Sequence, residues 1–351
     1  MEGPLKGYHH ETYAFPLPAE NPLATRFERG KLRSPREELL WFDRRCFASE
    51  DRLLIALRGR IARIPECFEV AENVCLQGFI EGRTLSRRPL SDRHLHQLGR
   101  LFEELVGVKA DELDIRRNAA VADRPTDTDT DTETETDTDA DSGAFLRGLI
   151  RFTEEQVYGE NAGRFGTLFD ELGVPENPLE ELKRATVRLA SRPFALIHGD
   201  LHRENFIVDP AGDLWTIDWE LAAIGDPLYD LATHLHLMRY SQKEEERVKE
   251  VWRAAVEGVR PGSSDGWEQD LQVLLSYKRA QSVYTDVIRT AVALGSGPKP
   301  NWQLLPRAAW RIHLVLKAAA EPLGLSEVPT LRQVMAAYMR WLRAYPGRTD
   351  P

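Results

Sequence analysis

The sequence predicts an α+β protein in which strands dominate the first eighty residues and helices dominate the rest. The predicted strands are short runs of aromatic, aliphatic and β-branched residues, at 7–15, 25–32, 68–71 and 74–79. The long predicted helices carry apolar residues at helical spacing, at 91–106, 242–259, 266–294, 302–320 and 331–344. With 351 residues, the chain can form two core-bearing units, which we expect at residues 1–80 and 81–351.

Three helix starts are marked by capping residues. Ser49 and Ser91 each precede acidic residues and an apolar helical pattern, as an N-cap does. Asp226 precedes Pro227, and proline suits the first turn of a helix because its missing N–H would have no partner there. We therefore expect helices to begin immediately after these three positions.

The net charge of −10 is concentrated in one low-complexity tract. Residues 127–141 contain eight acidic residues and no basic residue, and removing their charge from −10 leaves −2. The tract has too few apolar residues to offset the entropy of ordering, so we expect a disordered acidic insertion at residues 123–143. The rest of the chain has no Lys- or Arg-rich stripe, which argues against a nucleic-acid partner.

The cysteines and the hydropathy pattern exclude further classes of protein. Cys46, Cys67 and Cys75 are odd in number and lack paired-ligand spacing, so the sequence supports neither a disulfide framework nor a zinc site. No apolar run is long enough to span a bilayer, and the first residues lack the pattern of a signal peptide. We expect a cytoplasmic protein without a membrane partner.

One stretch concentrates polar residues at the ends of short apolar runs. Residues 205–208 and 214–217 are separated by the turn signal Asp-Pro-Ala-Gly-Asp, which predicts a β-hairpin preceded by a loop. This places Asp200 in the loop, Asn205 at its exit and Asp218 just past the second strand. Two carboxylates and an amide that converge in this way suit phosphoryl transfer, because one carboxylate can accept a proton while the other groups hold magnesium.

Three ordered motifs make this stretch specific. They are His198-Gly-Asp200 with Asn205 five residues later, Ile217-Asp218-Trp-Glu220, and the run from Gly225 to Ala232 that contains Asp226 and Asp230. Together they resemble the catalytic core of the aminoglycoside phosphotransferase and choline kinase-like family. The resemblance implies a bilobal protein-kinase-like fold, with a small β-rich amino-terminal lobe, a larger helical lobe, and ATP and Mg²⁺ as cofactors.

The resemblance also implies roles for these residues. Asp200 would be the catalytic base, and Asn205 and Asp218 would hold Mg²⁺, with Glu220 either assisting a second ion or facing solvent. His198, Asp226 and Asp230 would support the loop structurally. The structural alternative is that Asp200 caps a turn, Asn205 satisfies a buried backbone group and Asp218 ends a strand. These three structural roles must all apply together to replace the functional interpretation.

The nucleotide contacts are expected in the first eighty residues. By resemblance, the loop that contains Gly7 covers the phosphates, and Gln77, Phe79 and Ile80 line the hinge that reads adenine. A cation on the third strand should contact the phosphates. Lys31 is the first candidate, with Arg29 on the same strand face as its rival, and Glu50 lies where it could orient the cation. The alternative for Lys31 is a solvated turn position beside Gly30.

The acceptor is less constrained by the sequence. Arg279, Ser282 and Asp286 lie near one helical stripe that could contact a polar substrate or simply face solvent. The family implies a small-molecule hydroxyl acceptor, such as an aminoglycoside, another antibiotic-like molecule or an amino alcohol. The carboxy terminus lacks the acidic crowding that suits a polycationic aminoglycoside. A kinase for Ser or Thr of a precursor peptide and a catalytically silent nucleotide-binding scaffold are the two alternatives.

Overall fold

The protein is described by a computed structural model over most of its length. The described residues are 2–5, 10–35, 42, 44–71, 74–109, 113, 115, 140–175, 179–297 and 299–344. Gly7 and residues 123–139 of the predicted insertion lie outside them. The chain divides into two compact units, and the first comprises residues within 1–39, 43–141 and 191–265. The lobe boundary predicted at residue 80 lies inside this first unit and stays a prediction.

The strands of the described residues all belong to the first unit. They are β1 (Glu2–Leu5), β2 (His10–Pro16), β3 (Arg29–Pro35), β4 (Cys67–Ala71), β5 (Val74–Gly78), β6 (Arg83–Thr84), β7 (Ala195–Ile197), β8 (Phe206–Val208), β9 (Leu214–Thr216) and β10 (Ala223–Gly225). Five of them form one antiparallel sheet in the order β1-β2-β3-β5-β4. The strand predicted at 25–32 was misplaced at its start, because residues 22–25 form a 3-10 helix and β3 begins only at Arg29.

The described helices are divided between the two units. They are α1 (Glu50–Leu57), α2 (Asp92–Gly107), α3 (Ser142–Phe152), α4 (Ala162–Glu171), α5 (Glu180–Thr186), α6 (Pro227–Met238), α7 (Gln242–Val259), α8 (Trp267–Gly295), α9 (Leu305–Ala318) and α10 (Leu331–Ala344). A π-helical turn follows α3 at Thr153–Tyr158. The β-rich beginning and the mostly helical remainder confirm the predicted α+β class.

The three predicted capping residues are confirmed. The Ser49 and Ser91 hydroxyls accept hydrogen bonds from the N–H groups of Arg52 and His94, at the starts of α1 and α2. Asp226 caps α6 by accepting from the Leu228 N–H at 2.9 Å. Each side chain satisfies a backbone donor that the first helical turn leaves without a partner, so local chemistry alone fixes these boundaries.

The predicted hairpin is also present. Strands β8 and β9 pair antiparallel, with Ile207 opposite Trp215, and β6 adds to the free edge of β8. The chain approaches β8 closely at Gly82, where a Cβ atom would lie 2.3 Å from the Val208 carbonyl oxygen. Only glycine fits this approach without a backbone shift. The five-stranded sheet packs its apolar face on a cluster formed by Leu23, Phe27 and Leu76, which Trp215 joins.

The second unit is helical throughout its described part. It comprises residues within 40–42, 142–190 and 266–351. Its longest helix, α8, is anchored by polar tips of buried aromatic side chains: the Tyr277 hydroxyl donates to the Leu149 carbonyl at 3.0 Å, and the Tyr338 hydroxyl donates to that of Val287 at 3.1 Å. Phe165 stacks on Trp341 with 5.2 Å between ring centroids. Among the described residues, no helix is long and apolar enough to cross a membrane.

Candidate active site

The loop from His198 to Asn205, called the HGD loop below, connects strand β7 to strand β8, and each of these strands is paired with another strand. It leaves β7, which pairs antiparallel with β10, and ends in a 3-10 turn at Arg203–Asn205 that leads directly into β8. Gly199 adopts φ +79°, and a Cβ atom there would lie 2.5 Å from the Leu221 carbonyl oxygen. A side chain at this position would be strained and would collide with backbone, so the glycine of the motif has a steric reason.

Asp230 supports the start of the HGD loop from helix α6. Its Oδ2 accepts the His198 N–H and its Oδ1 accepts the Gly199 N–H, both at 2.7 Å. The carboxylate is buried, so two charge-assisted hydrogen bonds to adjacent backbone donors fix the chain direction at the turn. The supporting role that the resemblance implies for Asp230 stays a prediction.

His198 links the HGD loop to the residue before Asp218. Its Nε2 lies 3.1 Å from the Ile217 carbonyl, and its Nδ1 accepts the Asp200 N–H at 3.3 Å. A neutral ring that carries its proton on Nε2 makes both contacts. Burial lowers the pKa of His198, which also favours the neutral ring. The ring also packs on Trp219, with centroids 4.7 Å apart. Both ring nitrogens are thus engaged with backbone groups, and the supporting role that the resemblance implies for His198 stays a prediction.

Asp200 and Asn205 are brought into direct contact. The Asn205 Nδ2 donates to the Asp200 carboxylate at 3.0 Å and to the Asp200 carbonyl at 2.9 Å. His202, which the sequence analysis did not select, has its Nε2 3.2 Å from the Asp200 Oδ2. Burial disfavours the charged form of His202, but the hydrogen bond and charge of Asp200 outweigh it and raise the pKa of the ring. His202 and Asn205 thus both contact the Asp200 carboxylate.

Asp218 joins the same site through the backbone of the hairpin. The Ile217 N–H donates to the Asn205 carbonyl at 2.9 Å, which places Asp218 beside the exit of the HGD loop. Asp218 adopts φ +66°, an uncommon conformation for a residue with a side chain. Its Oδ1 is buried and has no hydrogen-bond partner among the described residues. A buried carboxylate oxygen without a donor is a place where a cation fits.

Two further carboxylates and two arginines complete the surroundings of Asp218. Oxygen atoms of Glu50, Asp218 and Glu220 lie within 4.8 Å of one another. Arg33 pairs with Glu50 and lies 3.6 Å from Asp218, and Arg45 lies 2.5 Å from the Glu220 carboxylate. Oxygen ligands in this number suit Mg²⁺, and the Asp218 Oδ1, which has Arg33 at 3.6 Å but accepts no hydrogen bond among the described residues, is available to such an ion. Because Arg45 already engages Glu220, the role of Glu220 in holding an ion stays a prediction.

Glu50 contacts a different cation from the one expected. It forms its ion pair with Arg33, two residues beyond Lys31 on β3, and accepts the Trp219 N–H at 3.0 Å. Strand alternation puts Arg29, Lys31 and Arg33 on the same face, so the sequence could not tell which of them meets the helix. The sequence analysis missed Arg33. The signal that could have found it was the third member of this alternating series.

Lys31 and Arg29 have separate environments on β3. Burial, and then the charge of Arg33, lower the pKa of Lys31 to about 8, partly opposed by Asp218 and Asp51. Arg29 donates to both oxygens of Glu81, at 2.6 and 2.8 Å, and its guanidinium lies 4.3 Å from the Phe79 ring centroid. Arg29 is therefore engaged at the exit of β5, while Lys31 lies within electrostatic reach of Asp218.

The predicted hinge residues have contacts within the first unit. Gln77 is buried, and its Nε2 donates to the Asp51 carboxylate at 2.5 Å, so its side chain is directed at α1. The Phe79 N–H donates to the Arg29 carbonyl at 2.9 Å, and Ile80 packs on the apolar cluster of the sheet. These contacts order the backbone after β5. The adenine contact of these residues stays a prediction.

Helix α6 has two buried contacts that involve Arg192 and His234, which the sequence analysis did not select. Arg192 forms a buried bidentate pair with Asp226, with Nε 2.9 Å from Oδ1 and Nη2 2.8 Å from Oδ2. His234 donates from Nδ1 to the Leu201 carbonyl at 2.9 Å and accepts from the Tyr240 hydroxyl at 2.9 Å. Burial lowers the pKa of His234 to about 4, so this ring is neutral. Neither cluster has a sequence signature, because each joins residues far apart in the chain.

Comparisons with known proteins identify the family. The model of the phosphotransferase enzyme family (APH) matches residues 6–270. Among solved structures, macrolide 2'-phosphotransferase MphH from Brachybacterium faecium is 19% identical, with 85% of this chain and 86% of that chain covered and a TM-score of 0.47. An ethanolamine kinase from Plasmodium vivax is 16% identical, with 97% and 80% covered and a TM-score of 0.48. No curated protein matches the chain. The structural likenesses are too distant to indicate an acceptor.

Proposed function

The chain belongs to the phosphotransferase enzyme family, and on that premise we propose that it transfers the γ-phosphoryl group of ATP to a small-molecule hydroxyl in a Mg²⁺-dependent reaction. The observation that carries the proposal is the contact between the Asn205 amide and the Asp200 carboxylate at 3.0 Å, beside the buried Asp218 oxygen without a donor. A base and two oxygen ligands at one point are what this transfer requires.

We assign proton acceptance to Asp200. Its carboxylate accepts the proton of the acceptor hydroxyl while the hydroxyl oxygen bonds to the γ-phosphorus and the bond from that phosphorus to the ADP oxygen breaks. The His202 ring contacts this carboxylate, and the Asn205 amide donates to it and orients it. Positioning and proton acceptance by such a group contribute about 10²- to 10⁴-fold in rate.

Asn205 and Asp218 are the residues that would hold the metal, with the Glu50 and Glu220 carboxylates nearby. When bound, Mg²⁺ supplies positive charge against the β- and γ-phosphates. Asn205 uses its Nδ2 toward Asp200, and this orientation leaves its Oδ1 as the atom for a cation. Arg33 and Lys31, on one face of β3 near Asp218, are the cations that we assign to the nucleotide phosphates.

The test is acceptor-dependent release of ADP in the presence of Mg²⁺. The acceptors are aminoglycosides, macrolides, amino alcohols and Ser/Thr-containing peptides, and the proteins are the wild type, Asp200→Asn and Glu204→Gln. Glu204 is an exposed carboxylate in the same loop, so its amide variant is the matched control. We expect turnover with one small-molecule class, a loss of about 10²- to 10⁴-fold in Asp200→Asn and no loss in Glu204→Gln.

The other outcomes separate the alternatives. Turnover only with peptides would replace the small-molecule acceptor by a peptide hydroxyl. ATP binding without turnover of any acceptor would favour a nucleotide-binding scaffold. Equal activity of Asp200→Asn and the wild type would remove Asp200 from the role of base.

A further inference from the structure

A cavity of about 510 Å³ lies in the first unit, on the loop that joins α1 to β4. None of its lining residues belongs to the HGD loop or to the cluster around Asp218. Its wall is unusually rich in arginine. The charged lining residues, called the arginine pocket below, are Arg26, Arg58, Arg60, Arg63, Glu66 and Glu104.

The pocket carries more positive than negative charge. Four guanidinium groups face two carboxylates, and both carboxylates have partners: Glu66 pairs with Arg26, and Glu104 accepts the Ala62 N–H at 2.9 Å. Asp213 lies 3.5 Å from Arg63, but it also accepts from Arg93 at 2.7 Å and from Gln97 at 2.5 Å. The acidic charge next to the cavity is therefore shared among several donors, and the cavity retains a positive excess.

The walls of the pocket are fixed by contacts that do not involve a ligand. Arg58 donates to the Cys67 carbonyl at 2.5 Å, and its guanidinium lies 4.0 Å from the Phe68 ring centroid. The Arg63 carbonyl accepts the Thr216 N–H at 2.9 Å, which ties the loop to strand β9. Trp215, which also lines the cavity, donates from Nε1 to Asp209 at 2.9 Å. The Arg58 guanidinium is thus held in place, and a group held in place loses less entropy on binding a ligand than a flexible one.

We propose that the arginine pocket binds a small phosphate-bearing anion, at a site separate from the one that performs phosphoryl transfer. Arginine forks match phosphate oxygens bidentately, and each guanidinium has five N–H donors, so one contact with the protein does not exhaust them. The cavity is within the size range of small-molecule sites. An anion with two or more phosphate groups can engage more than one of these arginines. Such an anion can be an inorganic polyphosphate or the phosphate tail of a nucleotide.

The test is calorimetric titration with pyrophosphate, tripolyphosphate and ADP, each with EDTA at low ionic strength, where charge interactions are least screened. The proteins are the wild type, the double variant Arg60→Gln/Arg63→Gln, and Arg52→Gln. Arg52 lies on α1, is half exposed, pairs with Glu69 and does not line the cavity, so it is the matched control. Removal of two charge-assisted contacts is expected to weaken binding by about 10- to 100-fold or more, whereas the control binds as the wild type does.

A second variant tests the sign of the effect. Glu66→Gln removes the carboxylate that pairs with Arg26, so it frees this guanidinium for the ligand and is expected to tighten binding of all three anions. A substitution that merely damaged the fold would not strengthen binding. This variant keeps the proposal testable if the double variant fails to fold.

The same titrations show whether the ligand is a nucleotide or an inorganic polyphosphate. ADP that binds much more tightly than pyrophosphate, with the difference lost in the double variant, identifies a nucleotide ligand. Equal binding of the two identifies the phosphate groups alone. The proposal is overturned if the double variant binds every anion as the wild type does, or if Arg33→Gln alone abolishes binding, because the anion would then occupy only the site around Asp218.

Discussion

The HGD loop and strand β3 hold their charged groups by different means. In the loop, Asp230 accepts two adjacent backbone N–H groups, and Asn205 is hydrogen-bonded to Asp200 within five residues of chain. On β3, Arg33 meets Glu50 from helix α1 and Asp218 from beyond strand β9. The loop is thus held by hydrogen bonds to backbone groups, two of them from Asp230, which lies 31 and 32 residues further along the chain, whereas the charged groups of the strand are held by ion pairs between side chains. Mutations should therefore disturb stability in the first region and nucleotide affinity in the second.

Asp230→Asn should have the largest effect on stability. An asparagine has one acceptor oxygen where the carboxylate has two, so one of the His198 and Gly199 N–H groups would be buried without a partner. We expect a loss of about 2–4 kcal/mol in the free energy of unfolding and a fall in turnover. Urea denaturation and steady-state kinetics measure both. Asp92→Asn, at a 94% exposed side chain, is the control, and equal loss in the two variants would contradict the role of Asp230.

Neutralisation of Arg33 should have the second-largest effect, and this effect should be on ATP binding. Arg33→Gln removes the cation between Glu50 and Asp218, and we expect the KM for ATP to rise about 10- to 100-fold. Arg29→Gln is the control on the same strand face, because Arg29 is bound to Glu81. A rise of KM in Lys31→Gln but not in Arg33→Gln would assign the phosphate contact to Lys31 instead. An equal rise of the KM for ATP in Arg29→Gln and Arg33→Gln would show that Arg33 has no special role in ATP binding.

The pH dependence of ATP binding separates Lys31 from Arg33 further. The pKa of Lys31 is lowered to about 8, so the ammonium form declines about tenfold for each pH unit above 8, whereas arginine stays charged. If Lys31 contacts the phosphates, kcat/KM for ATP should fall about tenfold between pH 8.5 and 9.5, and Lys31→Arg should remove the decline. An unchanged decline in Lys31→Arg would show that another group titrates.

The smallest effect is expected at the edge of the HGD loop. Tyr240→Phe removes the hydroxyl that donates to His234, while the His234 bond to the Leu201 carbonyl remains. We expect a loss of about 1 kcal/mol in the free energy of unfolding with little change in the KM for ATP. Thermal unfolding measures the first quantity and kinetics the second. A large change in KM with unchanged stability would place Tyr240 among the nucleotide contacts.

Much of the HGD loop was predictable because its contacts follow the chain. The hairpin, the cap at Asp226 and the positions of Asp200, Asn205 and Asp218 come from turn residues, strand patterns and spacing that act within about thirty-five residues. Helices α7 and α10 match their predicted bounds for the same reason. The start of β3 was missed because the local signal of the 3-10 helix at residues 22–25, the N-cap Asn21 followed by Pro22, was not used.

The sequence by itself determined the fold class, the family motifs and the chemical types available at the site. Tertiary structure alone decided which cation on β3 pairs with Glu50, which acid Arg45 binds, and that four arginines surround one cavity. The physical reason is the range of the interactions. Hydrogen bonds in turns and caps join neighbours in sequence, whereas Arg45 and Glu220 are 175 residues apart and meet only when strands and helices pack.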